Sequence, residues 1–180
     1  MKKYTFLLIS IVILTSNVNS QLFQENTTYT DNHLNKFEGT WMWSSANDTV
    51  KLQLKKISLH ILDVENSYWE FLLGCHSYTK NGILLESSMN KYDSLSYYTY
   101  TNKIGSLRLF RLEDGDTSFV EGTIKDISKH KGNQIDLTYL GGNPAQIRMQ
   151  LSLKGAKISL PGKPYIPGIT LPTDIILTKQ

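Results

Sequence analysis

The chain has 180 residues, 19 Lys and Arg against 16 Asp and Glu, a formal net charge of +3, and one cysteine. That length is a prior for one domain. The near-neutral balance gives no electrostatic case for nucleic acid or an anionic membrane, and a single cysteine excludes an internal disulfide, so burial must hold the fold together.

The first twenty residues stand apart. Lys2 and Lys3 form a positive start, Tyr4 to Thr15 is mostly apolar, and Val18 and Ser20 occupy the −3 and −1 positions of a cleavage before Gln21. This predicts a secretory signal peptide over 1–20, too short and wrongly flanked for a permanent membrane span. No other segment reaches the roughly 20 apolar residues that crossing a bilayer needs. Losing Lys2 and Lys3 lowers the formal charge from +3 to +1. The expected location is secreted or periplasmic. Residues 21–36 read as a flexible polar N-terminal arm, and 37–180 as the folded domain.

From Phe37 onward, Gly-, Asn- and Asp-rich punctuation separates runs that alternate in the strand manner. Phe37, Gly39, Trp41 and Trp43 share one face of a first strand. Val50, Leu52 and Leu54 alternate with Lys51, Gln53 and Lys55 in a second. Trp69, Phe71, Leu73 and Cys75 oppose Glu70, Gly74 and His76 in a third. Thr79-Lys80-Asn81-Gly82 predicts a hairpin turn, because Asn-Gly supplies the positive φ that tight turns require; Ile83 to Met89 returns from it. Residues 90–103 are irregular. Further strands are expected at 107–112, 119–127, 134–140, 145–153 and 175–178, the 134–140 and 145–153 strands having the cleanest alternation. Four prolines between Pro161 and Pro172 forbid continuous pairing and predict a surface loop.

These are about eight to nine strands on short turns, with no room for crossover helices. The expected fold class is all-β, an antiparallel up-and-down barrel, because closure removes the edges of such a meander. A β-sandwich is the alternative.

Gly39-Thr40-Trp41, near the start of the exported domain, resembles the G-x-W opening of the calycin superfamily, which includes the lipocalins, fatty-acid-binding proteins and avidins. The resemblance implies that Trp41 plugs the closed end behind Gly39 and that a basic residue of the last strand packs across it. Here that residue is Lys179, where lipocalins usually have Arg. The layout from "FEGTW" through "DTVKLQLKK" to "LPTDIILTKQ" is also similar to a family of small exported bacterial proteins known only as a domain of unknown function.

On the barrel reading, Trp43 sits one step further up the inner face and is a candidate ligand contact, as aromatics line apolar pockets. Trp69, Phe71, Tyr139 and Met149 share the inward reading. Tyr92, Tyr97, Tyr98 and Tyr100 suit a binding rim, with Tyr97 the candidate contact, and equally suit an ordinary strand. Arg111 alternates with Leu107 and Leu109, which turns it inward to pair a ligand carboxylate; the opposite parity puts Phe110 and Leu112 inside.

No catalytic set emerges. Cys75 and His76 are adjacent on a strand and point to opposite faces. Neither G-x-S-x-G nor H-E-x-x-H occurs, and His33, His60, His76 and His130 lack metal-ligand spacing. Asp114, Asp116 and Ser118 start like a calcium loop, but Phe119 and Lys125 stand where the turn Gly and bidentate Glu belong. Asn26 and Asn47 open N-x-T sequons, relevant in a host that glycosylates exported proteins. The expectation is a non-enzymatic protein without metal or cofactor, binding a small apolar or amphipathic ligand in the barrel. The alternative is a filled-core interaction module or inhibitor that meets a macromolecule through its rim loops.

Overall fold

The structure, a computed structural model, describes residues 28–61, 67–95, 105–112, 115–155 and 166–180. The signal-peptide segment 1–20 lies outside the described residues. Ten strands follow in chain order: β1 (Thr28–Tyr29), β2 (Gly39–Ser45), β3 (Asp48–Ile61), β4 (Ser67–Lys80), β5 (Ile83–Ser87), β6 (Leu107–Phe110), β7 (Phe119–Asp126), β8 (Lys131–Gly141), β9 (Gln146–Leu153) and β10 (Asp174–Lys179). Short 3-10 helices cover Asn32–Phe37 and Met89–Lys91.

Eight of the strands close a barrel. Around the wall the order is β4-β3-β2-β10-β9-β8-β7-β6, and β6 pairs back onto β4 through Leu72, Leu73 and Gly74 against Leu109, Arg108 and Leu107. Every wall pairing is antiparallel. The two further strands share the same edge of β4 that β6 uses: β1 runs parallel to it at Tyr68–Trp69, and β5 pairs with Ser77–Lys80. The β4–β5 turn is the expected Asn-Gly hairpin, with φ of 49° at Asn81 and 77° at Gly82.

Directly opposed residues share a face, so the register sorts inside from outside. Val50, Leu52 and Leu54 of β3, Leu72 of β4, Leu107 and Leu109 of β6, Ile135 and Leu137 of β8, and Ile147 and Met149 of β9 form one buried interior cluster. Lys51, Gln53 and Lys55, between the inward residues of β3, are not fully buried, and Arg148 and Gln150 of β9 are exposed. β3 and β9 thus each have an apolar inner face and a more polar outer one. Among the described residues no helix is long and apolar enough to cross a membrane.

One face differs from the sequence expectation. Leu72 and Tyr78 point into the barrel, while Trp69, Phe71, Leu73 and Cys75 lie on its outer wall. Alternation fails in β4 because Phe71 to His76 are all buried; both faces are covered, and each carries aromatic rings.

Both ends of the barrel are filled by the chain itself. At the lower end the helix Asn32–Phe37 inserts Leu34 and Phe37, both 0 % exposed. Phe37 therefore belongs to this helix rather than to the first strand, and the described part of the arm, from Thr28, is docked rather than loose. Asp31 caps the helix by accepting from His33 N. Trp41 is fully buried and donates from Nε1 to Phe37 O at 2.7 Å. At the upper end Ile169 and Leu171 pack into the core. Thr170 donates from N and Oγ1 to Asp126 at 2.8 and 2.9 Å, Lys129 Nζ donates to Pro167 O, and Lys131 Nζ donates to Ile166 O and Gly168 O.

Trp41 joins the first strand to the helix that closes the lower end. Trp41→Ala removes a fully packed indole and leaves Phe37 O without its donor, so a loss of about 3–5 kcal/mol is expected in urea unfolding. A loss below about 1 kcal/mol, the range of a surface substitution, would show that the lower end does not depend on this residue.

Candidate functional site

Three groups of residues bear on function: the lower plug, the residues expected to touch a ligand, and a buried polar cluster that the alternation of strands does not announce. In the plug, Lys179 pairs with Trp41 across β10 and β2, and its Nζ stands 5.3 Å from the indole centroid. Gly39 has a φ of 112°, and a Cβ there would lie 3.1 Å from Lys179 Cε. The glycine lets the lysine lie flat over the tryptophan, a cation–π contact. The three residues occupy one spot at the closed end.

The expected ligand contacts divide between the interior, where Trp43, Tyr139 and Met149 meet one cluster, and the outer wall. Trp43, half-buried, packs against the interior cluster. Met149 is fully buried in that cluster, and Tyr139 meets Phe37 edge-on at 5.9 Å with Lys36 Nζ 5.3 Å above its ring. Trp69 stacks on Tyr29 at 4.6 Å, and Phe71 lies 5.2 Å under the Arg108 guanidinium, both on the outer wall rather than facing the interior. Tyr97 lies outside the described residues. Arg111 follows β6 at the lower end, not at an open mouth, and its partner is a protein carboxylate: Nε donates to Asp31 Oδ2 at 2.7 Å. Asp31 N in turn donates to Glu70, which pairs with Lys56 at 3.1 Å. Depressions of about 250 and 150 Å³ lie along the wall of β6, β7 and β8, the first beside Ser106, Arg108 and Lys125, the second beside Phe110, Glu121 and Lys154.

The polar cluster sits where β4 changes partner from β6 to β5. Leu52 opposes His76, which places the imidazole on the inner face, fully buried. Its Nε2 is 2.9 Å from Glu86 Oε1 and its Nδ1 is 2.6 Å from Ser106 Oγ. Glu86 is the one buried residue of β5, and its other oxygen accepts from Ser128 N at 2.9 Å. Burial by itself would raise the Glu86 carboxyl, but hydrogen bonds from His76 and Ser128 together hold it below the usual carboxylate range. A carboxylate on one side assigns the ring proton to Nε2 and leaves Nδ1 to accept the Ser106 hydroxyl.

Serine, histidine and carboxylate in this order resemble the relay of a hydrolase. Here Ser106 Oγ lies 2.6 Å from His76 Nδ1 and is also within hydrogen-bond distance of His76 N at 3.0 Å and Ser88 Oγ at 2.7 Å, and the imidazole and carboxylate beside it are buried. What the arrangement does is tie four elements together: β4, β5, the turn at Ser88 and the start of β6. Sequence reasoning missed it because its members are 10 and 30 positions from His76; the available signal was the parity of His76 with Leu72, lost with the misassigned face.

A satisfied network in a dry site is costly to interrupt. Ser106→Ala is expected to lower stability by about 1–3 kcal/mol, since His76 Nδ1 and Ser88 lose their partner. Circular dichroism melts of the variant check this; an unchanged melt would remove the cluster from the account of the fold.

Comparison with known proteins gives one match: a family described as "Family of unknown function (DUF6705)" matches residues 1–180. No curated protein and no solved structure matches.

Proposed function

The chain belongs to this family of unknown function, and we propose that it is an exported, non-enzymatic binding protein of lipocalin-like architecture that works through the outside of a filled barrel. One observation carries this reading: the interior is occupied by the chain's own side chains, and both ends are covered by its own segments. An eight-stranded barrel is just wide enough for side chains to fill it or for one small ligand to be held, and here the side chains support the first. Export rests on the N-terminal sequence, and the calycin likeness on Gly39-Thr40-Trp41 with Lys179 laid over the indole.

A second reading, the carrier of a small amphipathic molecule, is favoured by Asn133. This residue is fully buried, points inward opposite Ile124, and neither its Oδ1 nor its Nδ2 has a hydrogen-bond partner. It lies one inward pair below Asp126 and Lys131, beneath the strap that carries Leu171. A ligand hydroxyl or amide entering under the strap would satisfy it.

Native mass spectrometry of protein purified from its own host, with tryptophan fluorescence against lipophilic probes, separates the two. The exterior reading expects a bare mass and probe responses that Trp43→Ala leaves unchanged. A co-purifying small molecule would overturn it. Asn133→Leu is expected to raise stability by about 1–3 kcal/mol by removing an unsatisfied buried amide, measured by urea unfolding. A carrier would lose its ligand in the same variant.

A further inference from the structure

A second apolar cluster lies outside the barrel core. Ile57 of β3, Leu73 and Cys75 of β4, and Leu95 are buried together, with Leu59, Met89 and Tyr92 packed against them. The strand residues of this cluster belong to the outer wall, where the neighbouring Lys55 is exposed. What covers them is the chain's own segment 88–95.

That cover is weakly built. Its local hydrogen bonds are single turns: Lys91 N to Ser88 O, Tyr92 N to Met89 O, Ser94 N to Lys91 O and Leu95 N to Tyr92 O. Turns of this kind have poor geometry and little cooperativity of their own. The strand leading into it, β5, exposes Ile83, Leu84 and Leu85 by 67, 61 and 44 % and buries only Glu86. Its ladder to β4 is interrupted between Tyr78 and Thr79. The fastening therefore falls on Ser88, whose N donates to His76 O and whose Oγ accepts from His76 N and donates to Ser106 Oγ, and on the Glu86 carboxylate, held by His76 and Ser128.

We propose that residues 83–95 are an acid-released latch, held shut by the buried Glu86–His76 pair, whose opening bares the apolar outer face formed by Ile57, Leu73 and Cys75. The inference does not depend on what the protein binds. Glu86 is held as the carboxylate in the closed form, its carboxyl lying below the usual range. A depressed carboxyl contributes stability that is present above its unfolded value of about 4.3 and lost as pH falls through the folded value. Release is thus expected on the acid side of about pH 4.

The other titratable and charged groups near the pair are few. Cys75 and Tyr78 lie near His76 on β4, Lys91 and Tyr92 lie in the latch, Ser106 just precedes β6, and Arg108 of β6 stands over Phe71 on the outer wall. The turn carrying Ser128 holds Asp126, Lys129 and His130, and Asp126 is already engaged by Thr170 and by Lys129 N. Tyr78 bonds to Asp48 at 3.4 Å. None of these groups competes for the Glu86 oxygens.

The single cysteine reports on the latch. Cys75 is fully buried, and burial pushes its thiol up, so the closed form is unreactive. The experiment follows labelling of Cys75 by 4,4′-dithiodipyridine, a disulfide that still reacts with thiols in acid, alongside near-ultraviolet circular dichroism of the packed aromatic residues. Glu86→Gln at neutral pH can accept only one of the two bonds, and labelling about tenfold faster than wild type is expected. With each rate divided by that of a small free thiol at the same pH, which removes the change in thiolate fraction, wild type at about pH 3.5, below the ordinary Glu value, should label several-fold faster than at neutral pH while the aromatic signal persists. A normalised rate as slow in acid as at neutral pH would overturn the proposal. So would labelling that rises only together with loss of the aromatic signal, which marks global unfolding. Should Glu86→Gln not fold, the wild-type acid measurement decides alone.

Discussion

The barrel closes through β6, a strand of four residues that meets β4 over only three register pairs. A seam this short is weak by itself, because few ladder hydrogen bonds oppose the entropy of bringing distant segments together. The structure fastens it at both ends with buried or half-buried polar groups. Just before β6, Ser106 is bonded to His76 of β4; just after it, Arg111 is paired with Asp31, whose N–H donates to Glu70 of β4. The two polar groupings, which look at first like unrelated candidate sites, are the upper and lower rivets of one seam.

This division of labour accounts for a filled interior. The helix that supplies Asp31 also supplies Leu34 and Phe37, so fastening the seam from below brings the lower plug with it. At the top, Asp126 ends β7 and clasps Thr170, whose neighbours Ile169 and Leu171 reach the core. Polar groups at the rims thus position apolar residues along the axis. The outer wall keeps its charges, including the Arg148–Asp174 pair across β9 and β10, whose exposure gives it a small share in stability.

Much of this architecture was legible from alternation alone. β8 and β9 have one wet and one greasy face, and their inward residues follow from the period of two, although β8 starts three residues before the expected strand. Asn81-Gly82 fixed the hairpin after β4. The reading failed where a residue had two plausible environments. In β4, Trp69 and Phe71 suited an interior, yet the outer wall there is covered by Tyr29, Arg108 and the segment from Ser88. Phe37 has strand parity with Trp41 but belongs to the capping helix. The His76 cluster was beyond reach because no local pattern encodes the approach of Ser106 and Glu86.

The place of β10 has a consequence for how the chain comes together. It lies between β9 and β2, with Thr178 and Lys179 opposite Met42 and Trp41. Until residues 174–179 have been supplied, the wall is an open sheet with two raw edges, and Trp41 lacks the lysine that covers it. The first wall strand waits for the last, a pairing of very high sequence separation, which slows folding and leaves edges available for mispairing meanwhile. Closure is therefore a late event, and a chain held unfolded until its final strand is present avoids the stage at which an open sheet would aggregate.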